Sequence, residues 1–340
     1  MKEKNEEDNR ITLVIQCLVY NHKPYLRQCL EGFVMQKTNF KFVAVIHDDC
    51  STDGSQEIIR EYEEKYPDII KPIYEIENQY SKRDGSLMRI VNKALNATEA
   101  KYIAFCEGDD YWIDSLKLQK QVDFLDSHAD IGLCYTDYKK FYQEFGQETD
   151  SDFKLFPNKS PFCTSLEEWL VSPRYMAPPT WLSRSQLWFE SLPFETVDGT
   201  LVRFTYFLSK SKVHCMEHEV TAVYRILKES ASHSSSLEKL YNRYIGLFYS
   251  QIELTKIYIG NTLSKESILS QIQTKFYITY WKLVLAKGSK EQLNDLFKWN
   301  GDGLNRLSFF LFQLCRFKYA RNLFRVCYLI YFKKKLGIED

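Results

Sequence analysis

Three features are absent from this 340-residue sequence, and each absence excludes a class of protein. No stretch of about 18 uncharged apolar residues occurs, so no membrane-spanning helix is expected. The 45 basic and 45 acidic side chains cancel, so no overall positive field favours a nucleic-acid partner. The nine cysteines form no CxxC pair and no regular framework, which predicts reduced thiols in a cytoplasm. The charged, acidic opening segment does not resemble a signal or transit peptide.

The composition and the pattern of apolar residues predict an α/β fold. With 44% hydrophobic and 26% charged residues, the chain is of the globular type, and its length suits one domain plus a second. Short apolar runs alternate with segments of helical periodicity, which is typical of a mostly parallel, doubly wound sheet flanked by helices. The predicted strands span 11–19, 42–47, 69–74, 102–106 and 131–135, with 213–226 extended.

Three regions are predicted along the chain. Residues 1–10 form a polar tail, 11–235 form an α/β catalytic unit, and 236–340 form a helical C-terminal region. The polar residues 139–163 predict an irregular loop. Two capping boxes predict helix starts, at Ser165 with Glu168 and at Ser289 with Gln292.

An acidic cluster follows the fourth predicted strand, in the sequence YIAFCEGDDYW from Tyr102 to Trp112. Glu107, Asp109 and Asp110 place three carboxylates within four residues, and like charges this close require a positive partner. Mg²⁺ typically takes one or two protein carboxylates together with substrate phosphate oxygens, so a divalent cation fits the cluster. An acidic turn that caps the following helix explains the same residues equally well.

Polar residues also follow the first two predicted strands. Because the carboxyl ends of parallel strands share one edge of a sheet, we expect these residues to meet the acidic cluster. An aromatic ring, two acidic pairs and a cation together suit a nucleotide diphosphate. The residues concerned are Tyr20, Asn21 and His22 after the first strand, and Asp48, Asp49, Ser51 and Asp53 after the second.

Three sequence blocks carry a family resemblance: LVYNHKPYLRQCLEGFVMQ, VIHDDCSTDGS and YIAFCEGDDYW. Together and in this order they resemble the signature blocks of bacterial family 2 glycosyltransferases with the GT-A fold. The resemblance covers roughly residues 11–235 and includes AVYR, from Ala222 to Arg225. It implies a Rossmann-like, mostly parallel sheet flanked by helices, followed here by the helical C-terminal region.

The resemblance implies roles for the residues after the first two strands. Tyr20 would stack on or flank the base of the donor, with Asn21 beside it on the donor side. Asp49 would bind the imide edge of the base. Asp48 is expected to be structural, and Asp53 to cap the following helix.

The resemblance also implies a metal site at the acidic cluster. The DxD-type element of the family matches Glu107, Gly108 and Asp109, with Glu107 in place of the commoner first aspartate. Glu107 is therefore assigned to donor binding. Asp109 and Asp110 are expected to bind Mn²⁺ or Mg²⁺ and the ribose, and which of the two does which is left open.

Contacts to the donor phosphates are expected from several positions. Asn92 matches a donor-side asparagine of the family, but the arginine that often stands beside it is a valine here. Arg83 or Arg89 would then supply the phosphate contact. Arg225 would reach the diphosphate, with His233 closing a flexible loop over the donor, although His233 fits a polar linker nearly as well.

A general base is implied further along the chain. Inverting transfer requires a group that deprotonates the acceptor hydroxyl. Asp198 in ETVDGTLVRF is the best match to the catalytic aspartate of the family, with Glu195 as the alternative. The other interpretation is that Asp198 only caps the helix that follows it.

Together, the site residues and the family resemblance predict an inverting, metal-dependent glycosyltransferase of the hexosyl type. It would move a sugar from a nucleotide-diphosphate sugar, with UDP-sugar favoured, to a glycan or lipid-linked acceptor in cell-surface polysaccharide synthesis. The alternative is a non-catalytic nucleotide-sugar or glycan binding module, because fold does not fix function. A nucleotidyltransferase is disfavoured because its glycine-rich, lysine-containing N-terminal phosphate loop is absent.

The segment 303–338 contains no acidic residue and eight basic ones. Its apolar runs LSFFLF and VCYLIYF are too short to cross a bilayer. A basic helix with an aromatic-rich apolar face can lie in the membrane interface, so we expect a cytoplasmic protein that is peripheral at the inner face of the membrane. The alternative is that these helices pack on the catalytic domain with their basic side chains in water.

Overall fold

The chain divides into two compact units. The computed structural model describes residues 10–151, 154, 165–173, 176–190, 198–228, 237–261, 263–301 and 303–336. The first unit comprises the described residues within Met1–Thr164, Tyr175–Pro193 and Tyr206–Ile226. The second comprises those within Ser165–Arg174, Phe194–Thr205 and Leu227–Asp340. The second unit therefore includes two segments from the region 11–235, which the sequence predicts as one α/β domain. The predicted boundary near residue 235 lies outside the described residues.

The regular elements of the described residues are nine strands and a set of helices. The strands are β1 Ile11–Val19, β2 Lys41–Asp48, β3 Ile70–Tyr74, β4 Tyr102–Phe105, β5 Tyr111–Trp112, β6 Ile131–Tyr142, β7 Gln147–Glu148, β8 Leu182–Arg184 and β9 Lys212–Ile226. The helices are α1 Lys23–Val34, α2 Ser55–Lys65, α3 Ser86–Asn96, α4 Lys117–Ser127, α5 Leu166–Val171, α6 Ser185–Glu190, α7 Gly199–Lys210, α8 Leu237–Tyr258, α9 Leu263–Lys287, α10 Lys290–Lys298, α11 Arg306–Leu314 and α12 Lys318–Leu336.

The first half of the sheet is parallel, as the sequence predicts. β3, β2, β1 and β4 lie side by side in that order, and each neighbouring pair is parallel. Continuous apolar runs form these strands because helices cover both faces of a parallel sheet. Residues of β1 such as Leu13 and Ile15 are fully buried and belong to the same apolar core as Leu30 and Phe33 of α1.

The second half of the sheet is mixed and departs from the sequence prediction in two places. β8 is antiparallel to both β4 and β6, and β5 is antiparallel to β9. These two strands have three and two residues, too few to show an alternating pattern. The predicted loop over 139–163 is wrong for residues 139–142 and 147–148, because β6 extends to Tyr142 beside β9 and β7 pairs with its end. The whole sheet is therefore mostly parallel but mixed.

The second unit is helical and has an aromatic core. Trp281 of α9 is fully buried, with Phe312 of α11 and Tyr328 of α12 edge-on to its ring at 5.8 and 5.4 Å. Both predicted helix starts are confirmed. Ser165 accepts a hydrogen bond from the N–H of Glu168, and Ser289 forms a complete capping box with Gln292. Among the described helices, none is long and apolar enough to cross a membrane.

Candidate active site

The carboxyl ends of β1, β2 and β4 meet at one edge of the sheet. Val19 lies opposite Asp48 in the β1–β2 register, and Gln16 lies opposite Phe105 in the β1–β4 register. Beyond the strands, the Asp49 N–H donates to the Val19 carbonyl at 2.9 Å and the Gly108 N–H to the Leu18 carbonyl at 3.0 Å. The structure thus brings together the three polar segments that the sequence places after these strands.

Reciprocal hydrogen bonds join the turn after β1 to the turn after β2. The Asn21 N–H donates to Ser51 Oγ at 2.9 Å, and the Thr52 N–H donates to Asn21 Oδ1 at 2.8 Å. Asn21 has a φ of 55°, a left-handed conformation that asparagine tolerates better than most residues. Its amide oxygen is therefore used inside the protein, whereas the ring of Tyr20 beside it is exposed. Donor contacts by Tyr20 and Asn21 stay predictions.

Asp53 joins the starts of α1 and α2. Its Oδ2 accepts the N–H of Lys23 at 2.9 Å, and its Oδ1 accepts the N–H of Ser55 at 2.9 Å and the Ser55 hydroxyl at 2.6 Å. Burial alone would raise the pKa of Asp53, but these donors outweigh it and hold the pKa below its usual range. The carboxylate thus satisfies donors at two helix starts, in agreement with the expected capping role.

Asp49 is buried and holds the chain after β3. Its two carboxylate oxygens accept the N–H groups of Gln79 and Tyr80 at 2.6 and 3.0 Å. Each oxygen keeps a second lone pair and can accept one further hydrogen bond. Recognition of a base by Asp49 stays a prediction.

Asp48 lies beside Asp49 and faces the protein. Its Oδ2 accepts Gln56 Nε2 at 2.6 Å and the Ser51 N–H at 3.1 Å. The residue is fully buried, in agreement with the expected structural role.

Gly108 allows the acidic turn to pass close to β1. A Cβ at this position would lie 2.7 Å from His22 Nδ1 and 3.0 Å from Val19 Cγ2, closer than normal van der Waals contact. The Asp110 N–H donates to the Glu107 carbonyl at 3.0 Å and closes the turn. A larger residue at 108 would therefore require the turn or the side chains of His22 and Val19 to move.

Burial and neighbouring charge raise the pKa of two carboxyl groups of the turn, Glu107 and Asp110. Glu107 is exposed to solvent, but nearby protein atoms limit the hydration of its carboxylate. This crowding and the charge of Asp109 raise the pKa of Glu107 to about 7. Burial, then the Asp109 charge, raises the pKa of Asp110 well above its usual range. The protein surroundings therefore stabilise the charged forms of Glu107 and Asp110 poorly, and a bound cation would supply the positive charge that favours them.

Arg225, near the end of β9, is hydrogen-bonded to the acidic turn. Its backbone N–H donates to Asp110 Oδ1 at 2.7 Å, and its Nε donates to the Asp109 carbonyl at 2.7 Å. Nη1 and Nη2 donate to Gln143 Oε1 at 2.6 Å and Gln28 Oε1 at 2.7 Å. The guanidinium also lies over three rings at 4.8 to 5.3 Å, those of Tyr25, Tyr111 and Phe141.

These contacts show what Arg225 does in the folded chain. The side chain is buried, and each guanidinium nitrogen already donates to a protein oxygen. The predicted contact between Arg225 and a donor diphosphate is untested, and the contacts within the protein favour a role in positioning Asp109 and Asp110.

The donor set of the turn fits a hard divalent cation. Asp109 is partly exposed, whereas Asp110 is buried and already accepts the Arg225 N–H, so Asp109 is the better placed metal ligand. Among the described residues, no three His, Cys, Asp or Glu side chains form a ready metal cluster. A cation here would thus be bound by one or two carboxylates and completed by phosphate oxygens, as Mg²⁺ usually is.

The residues expected at the donor phosphates differ in their surroundings. Asn92 Oδ1 accepts the indole N–H of Trp188 at 3.1 Å. Arg89 donates to the Asp84 carbonyl at 2.7 Å near the start of its own helix. Arg83 is exposed and follows the turn that Asp49 holds. Arg83 is therefore the better candidate of the two arginines for a phosphate contact.

Asp198 belongs to the second unit and caps α7. Its Oδ1 accepts the N–H groups of Thr200 and Leu201 at 2.9 and 3.3 Å, and its Oδ2 accepts Arg243 Nη2 at 2.5 Å. The helix-capping interpretation is thus observed, and the role as general base stays a prediction. Glu195 and His233 lie outside the described residues.

His22 is a residue of this site to which the sequence assigned no role. The residue is partly buried, and its Nδ1, which lies close to Gly108, has no hydrogen-bond partner among the described residues. Burial lowers the pKa of His22, although the Asp109 and Asp53 carboxylates act to raise it. The only signal in the sequence is its position directly after the β1 turn.

Comparison with family models identifies the chain. The model described as Glycosyl transferase family 2 matches residues 17–208, more than half of the chain. The chain belongs to glycosyl transferase family 2. The family resemblance inferred from the three sequence blocks is therefore confirmed.

Three curated relatives of this family 2 protein match it in part. Rv1520 of Mycobacterium tuberculosis (strain H37Rv) is 36% identical over 136 residues, 40% of this chain and 38% of the relative. TuaG of Bacillus subtilis (strain 168), named for teichuronic acid biosynthesis, is 31% identical over 125 residues, 37% of this chain and 46% of TuaG. The poly(ribitol-phosphate) beta-N-acetylglucosaminyltransferase TarS of Staphylococcus aureus (strain MW2) is 24% identical over 291 residues, 82% of this chain and 46% of TarS. The chain thus spans less than half of the length of these relatives.

Solved structures confirm the predicted GT-A fold. S. aureus TarS 1–349 in complex with UDP-GlcNAc has a TM-score of 0.58 at 16% identity. The match includes 96% of the present chain and 92% of the TarS chain. The mannosyltransferase PcManGT of Pyrobaculum calidifontis, in complex with GDP-Man and Mn²⁺, has a TM-score of 0.55 at 15% identity, with coverages of 96% and 87%. At such identities the likeness establishes the fold alone.

Proposed function

We propose that this family 2 glycosyltransferase is an inverting, metal-dependent enzyme that uses a nucleotide-diphosphate sugar, with a UDP-hexose favoured. The observation that carries the proposal is the acidic turn, whose unbalanced carboxylates lie at the sheet edge where β1 and β2 also end. The two solved neighbours bind UDP-GlcNAc and GDP-Man, which supports a nucleotide-sugar donor. The Mn²⁺ of the second neighbour supports the use of Mn²⁺ or Mg²⁺.

In this proposal the donor lies along the edge formed by the three strand ends. The ring of Tyr20 flanks the base, and Asp49 accepts from its imide group, with Asn21 fixing the turn between them. Glu107 and Asp110 lie towards the ribose, and Asp109 binds the cation. Asn92 and Arg83 line the phosphate side, and Arg225 keeps the acidic turn in place. The bound cation would stabilise the charge of the departing diphosphate.

The transfer step needs one proton acceptor. Asp198 takes the proton of the acceptor hydroxyl while the acceptor oxygen forms a bond to the anomeric carbon. The bond from that carbon to the phosphate oxygen breaks on the opposite face, and the nucleoside diphosphate leaves with the electron pair. Attack from the face opposite the leaving group inverts the anomeric configuration.

The acceptor is proposed to be a glycan or lipid-linked acceptor of cell-surface polysaccharide synthesis. TuaG and TarS are named for work on teichuronic acid and poly(ribitol-phosphate), which supports an acceptor of the cell envelope. A cytoplasmic location is part of the proposal. The described cysteines are all free thiols, in agreement with a reducing compartment.

A panel of nucleotide sugars, assayed with Mn²⁺ and with EDTA, tests the proposal. We expect donor turnover in Mn²⁺, detected as release of nucleoside diphosphate, and its loss in EDTA. Asp109→Asn should lower turnover about 100-fold or more, since a metal ligand acts on the charge of the leaving group. Asp130→Asn, which removes an exposed carboxylate paired with Lys212, is the matched control and should leave turnover unchanged.

Two outcomes contradict this proposal. Full turnover in EDTA, or an Asp109→Asn variant as active as the control, rules out the metal role. Donor binding, seen as a thermal shift, without turnover on any acceptor or water favours the non-catalytic binding module instead.

A further inference from the structure

The last helix, α12, is apolar on two sides. Its inner side packs into the aromatic core of the second unit through Phe324, Tyr328 and Leu329. Tyr319, Leu323, Val326 and Ile330 are spaced i, i+4, i+7 and i+11, so they form one stripe on roughly the opposite side of the helix. Their exposed fractions are 89%, 64%, 55% and 61%. This outer stripe has the spacing of a core-facing surface but lies in solvent.

Further exposed apolar side chains lie close to the outer stripe of α12 in the sequence. Among the described residues, nine of the eighteen exposed large hydrophobic side chains lie between positions 307 and 331. Exposed apolar side chains concentrated in one segment are a common mark of an interaction site. Besides the four of the outer stripe, they are Leu307, Phe309 and Phe310 of α11, Phe317 between the helices, and Tyr331.

The charge of this surface indicates which partner it fits. The segment 303–338 carries eight basic residues and no acidic one. Lys318 and Arg325 are exposed on α12, whereas Arg316 donates to the carbonyls of Phe297 and Trp299 within the unit. Some of the basic side chains thus have a role in packing, but Lys318 and Arg325 are exposed on the flank of α12 without an acidic neighbour on their own helix.

A second copy of the chain does not satisfy this surface. Pairing two identical surfaces of this kind would bring basic side chains close together with no carboxylate from either segment between them, which is unfavourable. A bilayer that contains anionic lipid matches both the charge and the apolar character of the surface. Its headgroups attract basic residues, and its interface accepts apolar and aromatic side chains.

We propose that the outer stripe of α12, with the exposed side chains of α11 and Phe317, binds the surface of an anionic phospholipid bilayer. The helix lies in the plane of the interface, with the outer stripe in the acyl boundary and Lys318 and Arg325 at the headgroups. This proposal concerns where the protein is held and is independent of the donor site, so either proposal can fail without the other.

Vesicle flotation of the full chain tests this inference. The vesicles contain phosphatidylcholine alone or mixed with phosphatidylglycerol, at low and at high salt. We expect flotation with the anionic vesicles at low salt, and release at high salt because exposed charges are screened. Lys318→Gln/Arg325→Gln should bind about 25-fold more weakly, since each basic residue near the surface contributes about fivefold.

A matched pair of double variants tests the apolar part. Leu323→Gln/Ile330→Gln removes two members of the outer stripe and should bind more than about tenfold more weakly. Ile76→Gln/Ile257→Gln removes two side chains that are 94% and 55% exposed elsewhere in the chain, and should bind like the wild type. All four positions are exposed, so circular dichroism should give near-wild-type melting curves.

Three results overturn the proposal. The first is a wild type that does not float with anionic vesicles at low salt. The second is a Leu323→Gln/Ile330→Gln variant that floats as well as its control. The third is a wild-type dimer in light scattering that this double variant converts to monomer, with no vesicle binding, which assigns the surface to a second copy of the chain.

Discussion

Replacing Arg225 by lysine tests whether it positions the acidic turn. Lysine keeps the positive charge but has one ammonium group in place of the planar guanidinium fork. Its single nitrogen replaces the three that contact the Asp109 carbonyl, Gln28 Oε1 and Gln143 Oε1, so we expect it to retain one of these contacts. Two lost hydrogen bonds to a charged group, at about 1.5 kcal/mol each, give a stability loss of about 3 kcal/mol.

The effect on metal binding is the informative measurement. Once the Asp109 carbonyl is released, the direction of the Asp109 carboxylate is no longer fixed, and binding a cation must restore it. A penalty of about 1.4 kcal/mol corresponds to a tenfold change, so the Mn²⁺ concentration for half-maximal turnover should rise about tenfold. The assay is nucleoside diphosphate release against Mn²⁺ concentration at saturating donor, with urea unfolding measured in parallel.

Arg184→Lys is the matched control for Arg225→Lys. Arg184 also donates three hydrogen bonds to protein carbonyls, those of Ile131, Leu125 and His128. Arg184 pairs with Tyr102 at the opposite end of β4 from the acidic turn. We therefore expect a similar loss of stability with an unchanged Mn²⁺ requirement.

Two outcomes would refute this account of Arg225. The first is an equal Mn²⁺ requirement in Arg225→Lys and Arg184→Lys, which would make Arg225 a stabilising residue only. The second is a raised donor KM at saturating Mn²⁺ with an unchanged Mn²⁺ requirement, which would support direct binding of the diphosphate. Gln143→Ala removes one acceptor and keeps Arg225, so it gives a milder form of the test if Arg225→Lys does not fold.

Three further predictions concern a close approach, the general base and a buried lysine. Gly108→Ala should destabilise the first unit by about 1–3 kcal/mol and lower turnover, because its Cβ meets His22, whereas Gly260→Ala, in open space, should do neither. Asp198→Asn should lower kcat about 10²–10⁴-fold and leave the donor affinity measured by calorimetry unchanged, because asparagine still caps α7 but cannot accept the proton. A variant with wild-type kcat would exclude Asp198 as the general base. Burial lowers the pKa of Lys117 to about 8. The unfolded chain therefore binds more protons than the folded chain between about pH 8 and 10, and the wild type gains stability as the pH rises through this window. The Tm of Lys117→Met relative to the wild type should fall over the same window, and a constant difference in Tm would refute the lowered pKa.

The sequence by itself determined most of the first half of the fold and the local parts of the site. Continuous apolar runs identified β1, β2, β3 and β4, because a strand buried on both faces admits few polar residues. The acidic turn and the two serine caps were equally readable, since each depends on residues within a few positions of one another.

Only the tertiary structure decided which distant residues meet. Arg225 lies 116 residues from Asp109 and 197 from Gln28, and no local pattern indicates that one guanidinium joins them. β8 is three residues long and gains its place from the strands beside it. The outer stripe of α12 follows the same rule: periodicity shows that both sides of the helix are apolar, but only packing decides which side is buried. Local patterns fix what each segment can form, and burial of non-local surface selects the partner.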